Sequence, residues 1–225
     1  MRPIHLALAI PLLLGPARAQ ERVVDEGSFV ILRAGAPVGR ENFRIVRAAA
    51  AGGQAFRATA RIALNEERIT TTLTTDSLGA PLSYDLAVTV GAATETTLRG
   101  SGRPGRFSAL IRTKHGESAR DYIVGENPLV LDASVFHQYY FATLMPRRAR
   151  FAVLEPRTER QSVLRFEDRG EESRQVGRHA VTARHLSLIA ADGSTRDVWV
   201  DSGGRLLRVE IPATGLAAQR EDLPR

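Results

Sequence analysis

The sequence has no cysteine, one lysine (Lys114) and one tryptophan, and aromatic residues make up only 6% of its 225 positions. Without cysteine there is no disulfide scaffold, no thiolate zinc site, no cysteine nucleophile and no lipoprotein anchor through an N-terminal cysteine. A hydrophobic share of 43% excludes a disordered chain, and 19 glycines without a three-residue period exclude a collagen-like one. Beyond the first twenty residues no apolar run approaches 18 residues, so no transmembrane segment is expected in the mature chain. The length suits one domain with a substantial core.

The formal charge of +6 comes from 31 basic residues, all but one of them arginine. Two of these, Arg2 and Arg18, fall in the first 19 residues, which contain no acid, so the remainder carries +4. Arg57, Arg61, Arg99, Arg106, Arg120 and Arg165 are scattered among acids and threonines rather than clustered. A nucleic-acid protein concentrates its basic residues in a stripe or module, so no nucleic-acid partner is expected.

Arg2 followed by the apolar run Ile4 to Leu14, the Gly15-Pro16 break and Ala17-Arg18-Ala19 has the form of a secretory signal peptide cleaved before Gln20. About 11 residues of helix reach only roughly 17 Å, too short for a hydrocarbon core of about 30 Å. The expected organisation is a signal peptide over 1–19 and a single β-rich domain over 20–225. The expected location is periplasmic or secreted, where a cysteine-free chain needs no oxidative folding.

Period-two alternation dominates the chain from Phe29 onward. Phe29 and Ile31, then Phe43 and Ile45, flank a turn at Gly35 to Gly39. Phe56, Ala58, Ala60, Ile62 and Leu64 share one face, as do Ile69, Thr71 and Leu73, and then Leu82, Tyr84, Leu86 and Val88. Further strands are expected over 94–99, 106–113 and 117–124, with a link at Gly100 to Gly105. Short links at regular spacing indicate an antiparallel meander. Beyond residue 150, strands are expected at 151–154 and 162–167, and again between 176 and 188, with a charged loop at 171–174. The segments 195–201 and 205–211 form a hairpin about Ser202-Gly203-Gly204. The polar tail from Ala213 is expected to fray.

One segment breaks the rhythm. Asp132 is placed to cap a helix over about 133–145 that ends at Pro146. Four of the 13 aromatics lie within residues 136–141, and apolar groups cover most of the circumference, so the helix is expected to be buried. The fold class is therefore mainly β: a single curved antiparallel sheet, half-barrel or open barrel, packed around one buried aromatic helix. That helix either plugs the core or forms a wall of an apolar cavity. In the second case Phe136, Tyr139, Tyr140, Phe141 and Met145 are the ligand-binding residues, with the Tyr hydroxyls as polar handles.

Catalytic patterns are missing. Asp201-Ser202-Gly203-Gly204 matches the nucleophile tetrapeptide of trypsin-like proteases, but no His-bearing partner segment accompanies it and a hairpin turn explains it. There is no Gly-x-Ser-x-Gly elbow, no Ser-x-x-Lys and no phosphate-cradling glycine loop. His179 and His185 would stand roughly 20 Å apart along one strand, beyond the span of one ion. His115 with Glu117 lacks a third ligand, and His137 belongs to the aromatic segment. No catalytic residue, metal or cofactor is assigned.

The opening pair "SFVILRAGAPVGRENFRIV" and the closing "VWVDSGGRLLRVEIP", with Trp199, Asp201, Arg205 and Leu206, resemble the first and last strands of the periplasmic lipoprotein-carrier superfamily. That group comprises the LolA/LolB-type carriers and related exported domains. The resemblance implies a curved half-barrel with an apolar concavity closed by helix. Ala58, Ala60, Thr71 and Ala109, small on inward faces, leave room for a ligand or for the helix aromatics. The leading expectation is a non-enzymatic exported binding protein for a lipophilic or acylated ligand. Two alternatives accompany it: an envelope scaffold with a solid core that binds a protein partner by strand addition, and a hydrolase with a loop-borne site.

Overall fold

Alternating inward and outward side chains carry nearly the whole chain into β structure. A computed structural model describes residues 21–50, 53–146 and 150–224; the expected signal peptide lies outside them. Eight strands succeed one another as hairpins: β1 (Arg22–Arg33), β2 (Ala36–Ala50), β3 (Gly53–Leu64), β4 (Glu67–Thr75), β5 (Pro81–Val90), β6 (Ala93–Arg103), β7 (Arg106–Thr113) and β8 (Gly116–Ile123). After β9 (Leu129–Val130) and a 3₁₀ segment over His137–Leu144, the strands resume as β10 (Arg150–Glu155), β11 (Arg160–Val176) and β12 (His179–Ala190). The chain closes with β13 (Thr195–Val200), β14 (Leu206–Ile211) and β15 (Leu216–Arg220).

All fifteen strands form one sheet in the order 8-7-6-5-4-3-2-1-15-14-13-12-11-10-9. Every neighbouring pair is antiparallel except β9 with β10. The sheet curves until its ends face each other without a ladder between them. Ser118 of β8 donates to Glu159 at 2.8 Å, and Gln161 donates to the Ile123 carbonyl at 2.9 Å. Side chains from residues 159–161 thus occupy part of the β8 edge, which disfavours strand addition there.

The inward faces are those expected from alternation except at Leu82, which is exposed beside the bulge between Thr74 and Thr75 that shifts the start of β5. Phe56, Ala58, Ile62, Ile69, Leu73 and Tyr84 are all buried. Three expectations about the strands are corrected. Strand β6 runs through Gly100 and Gly102, which were expected to begin a loop. A Cβ at Gly102 would lie 1.8 Å from the Pro81 carbonyl oxygen, and one at Gly100 would lie 2.3 Å from the Phe107 ring, so glycine keeps the strand continuous. The charged stretch 171–174 is part of β11, paired with β12 throughout. The tail that was expected to fray instead carries β15, between β1 and β14. Its Arg220 is 2% exposed because Asp25 receives its Nη1 at 2.9 Å, while the Leu206 carbonyl accepts the same nitrogen at 2.9 Å.

The helix is shorter than expected and of a different kind: 3₁₀ over 137–144, not α over 133–145. Asp132 caps a preceding turn, accepting from the Ala133 amide at 2.9 Å. The segment's amino end is capped by Glu41 of β2. Its carboxylate accepts the Phe136 and His137 amides at 2.8 and 2.9 Å and contacts His137 Nδ1 at 2.6 Å. Those amides have no intrahelical acceptor, and a buried carboxylate supplies one. The segment runs inside the sheet as a plug, with its aromatic rings in the main core.

Candidate functional site

The antiparallel order puts the turns 76–80, 104–105 and 201–205, with residues 124–128 and 221–224, at one end of the strands. The turns 34–35, 65–66, 91–92 and 191–194 lie at the other. The two ends differ in chemistry. Of the six large apolar side chains exposed among the described residues, Val23, Leu78, Leu82, Ile123 and Leu223 are at the first end, and only Val163 is not. The plug's carboxyl end also faces that way. This end is the mouth of the half-barrel.

A cleft of ≈ 760 Å³ opens there between the plug and β11–β14. Met145, Phe166, Leu186, Val200 and Leu207 form its apolar surface. Over them stand two ion pairs. Arg184 contacts Asp168 through Nε at 3.1 Å and through a terminal nitrogen, and Arg205 Nε donates to Asp201 at 2.8 Å. The β13–β14 turn fixes the second pair, because Asp201 Oδ1 also accepts the Gly203 and Arg205 amides at 2.9 Å each. Gly204, at φ +77°, supplies the left-handed residue of that turn. The Asp-Ser-Gly-Gly tetrapeptide is therefore turn chemistry and part of the cleft wall. A bulge between Asp168 and Gly170 lets β11 and β12 bend at the other side of the cleft.

Of the five residues expected to line a cavity, Met145 is on this cleft. Phe136, Tyr139, Tyr140 and Phe141 are 0–5% exposed inside the core. Phe56, Tyr140 and Phe141 meet edge to face with centroids 5.5–5.9 Å apart. Tyr139 directs its hydroxyl to Arg196, which donates at 3.3 Å and also pairs with Glu155. Burial, opposed by Arg196, raises the Tyr139 pKa. The cleft was missed in the sequence because its wall is assembled from strand ends far apart in the chain, and no local pattern marks them.

The histidines form no catalytic arrangement among the described residues. His137 meets Glu41, but both are fully buried. His185 Nε2 lies 3.0 Å from Asp197, and Ser187 donates to the same carboxylate at 2.8 Å. Serine and imidazole thus both address the acid rather than each other, whereas a nucleophile–base pair needs a bond between them. Burial works against ionisation of Asp197, yet hydrogen bonds from Ser187, His185 and Thr195 hold its pKa below the ordinary value. Among the described residues no three His, Asp or Glu side chains gather as a metal site, and no helix is long and apolar enough to cross a membrane.

Comparison of the chain with family models, with curated proteins and with solved structures returns no match.

Proposed function

We propose that this is an exported, non-enzymatic binding protein that takes a lipophilic or acylated ligand in the mouth cleft, between the curved sheet and the end of the plug. The observation that carries the reading is the cleft itself. Its volume lies in the range of small-molecule sites, and its apolar floor beneath a few fixed polar groups is the usual composition of such a site. The resemblance to lipoprotein carriers agrees with it. The apolar side chains gathered at the mouth add further support, since a ligand leaving water needs an apolar approach. In this reading the ligand sits at Met145 rather than deeper along the plug, where the aromatics at 136–141 are packed.

The test is native mass spectrometry of protein recovered without detergent from a bacterial periplasm, followed by lipid extraction. A bound acyl-bearing adduct is expected. It should be lost in Thr182→Trp, because Thr182 is exposed on the cleft wall and the larger ring fills the space without entering the core. A bare mass that stays bare after incubation with mixed lipids overturns the reading and favours the scaffold alternative, to be pursued by crosslinking to envelope proteins.

A further inference from the structure

The charged groups on the cleft narrow the class of ligand, an inference that rests on the proposed binding of a lipophilic molecule there. Among the described residues, five charged side chains line it: Asp168, Glu171 and Asp201, with Arg184 and Arg205. They are not segregated by sign. Arg184 is held against Asp168, with Glu171 opposite it in the β11–β12 register, and Arg205 is held against Asp201, so each guanidinium on the apolar floor has a carboxylate beside it. Both pairs are partly covered, with side-chain exposures of 38% and 19% for the first and 28% and 15% for the second. They are therefore less screened than free surface charges.

A head group of a single charge cannot meet this arrangement well. A carboxylate placed by either arginine also faces the neighbouring aspartate, and an ammonium placed by Asp168, Glu171 or Asp201 faces a guanidinium. A head carrying both charges lies along an ion pair with each end beside its opposite, and electrostatic complementarity of that kind governs selectivity. The five-donor fork of Arg184 keeps a second oxygen acceptor within reach while Asp168 stays bound. We infer that the cleft selects an amphiphile with a zwitterionic head, its acyl chain on the Met145–Phe166 floor and its anionic and cationic ends beside Arg184 or Arg205 and Asp168 or Asp201.

The experiment is a native mass-spectrometric competition among four ligands of equal chain length at equal concentration. They are lauroyl lysophosphatidylcholine (zwitterionic), laurate (anionic), dodecyltrimethylammonium (cationic) and monolauroylglycerol (neutral). The zwitterion is expected to occupy the protein at least fivefold more than any other. Arg184→Gln should move the preference toward the cation, and Asp201→Asn toward laurate. Asn at 201 keeps the side-chain oxygen that accepts the Gly203 and Arg205 amides, so the turn survives. Occupancy by all four within twofold leaves the binding reading standing and overturns the head-group inference. So does a zwitterion preference that both variants retain. Occupancy by none of them overturns the binding reading and this inference together.

Discussion

Glu41 and His137 stand 2.6 Å apart with no exposure at either side chain, although 96 residues separate them. The contact joins β2 to the amino end of the plug, and the same carboxylate satisfies two plug amides. Glu41→Ala leaves those amides without acceptors in the core and removes the contact of the imidazole. Leaving a buried hydrogen-bonding group unsatisfied costs about 1–3 kcal/mol each. Glu41→Gln, which keeps one acceptor oxygen, should lose clearly less. Urea unfolding monitored by far-UV circular dichroism checks both, and equal midpoints for wild type and Glu41→Ala would sink the capping role.

Asp132 sets a pH dependence. It accepts the Tyr84 hydroxyl at 2.9 Å and faces Arg157 at 3.7 Å. Burial nevertheless raises its pKa, outweighing the lowering by Arg157 and by the Tyr84 hydrogen bond. Asp25 shifts the same way, by burial against Arg220. A carboxyl whose folded pKa is raised contributes stability that is complete below its unfolded value, about 3.9, and is lost as pH rises through the folded value. Stability from this source should fall between acidic and neutral pH. Asp132→Asn should flatten that fall in urea midpoints measured from pH 4 to 7, and an unchanged slope would refute the assignment.

Gly102 is required for contact rather than for conformation. Its missing Cβ makes room for the Pro81 carbonyl oxygen, so Gly102→Ala forces β5 and β6 apart. Overpacking of this kind costs about 1–3 kcal/mol. Gly125, with nothing within 4 Å of its Cβ position, is the control and should tolerate alanine within about 0.5 kcal/mol. Thermal unfolding of the two variants distinguishes them.

The far part of the β11–β12 hairpin should detach independently of the main sheet. It contributes Val176 and Ala183 to a small cluster with Trp199 and Leu207, separate from the main core. Arg174 lies over the Trp199 ring at 4.2 Å, and His185 stacks on it at 4.4 Å. Val176→Asp should expose the only tryptophan and shift its fluorescence to the red. The far-UV spectrum should keep most of its strand signal, because small clusters open locally at low cost. A loss of all structure at the same denaturant concentration would show one cooperative unit instead.

Alternation made most strands legible, because the same periodicity that marks Phe56 to Leu64 also buries them. It failed where polar residues occupy inward positions. Glu41 shares a face with Phe43 and Ile45, and Arg220 shares one with Leu216 and Ala218, yet each is buried only because a partner far along the chain neutralises or uses it. A single sequence does not announce such partners. The aromatic content of 136–141 marks a buried helix, but the carboxylate at its amino end comes from Glu41, 95 residues earlier, and has no local signal. Met145 was the one expected lining residue found on the cleft, whose other walls come from strand ends with no local signature.

The pairing of β1 with β15 also governs the order of events during synthesis. Asp25 and Arg220, 195 residues apart, meet at the middle of the sheet rather than at its margin. Until residues 216–220 are available, β1 and β14 each lack one neighbour, and the polypeptide carries two sticky edges in place of one continuous surface. Closure must therefore wait for β15, and such long-range closure is slow. Loss of residues 216–224, a small part of the mass, would split the sheet at its centre and leave two halves prone to pair with other chains.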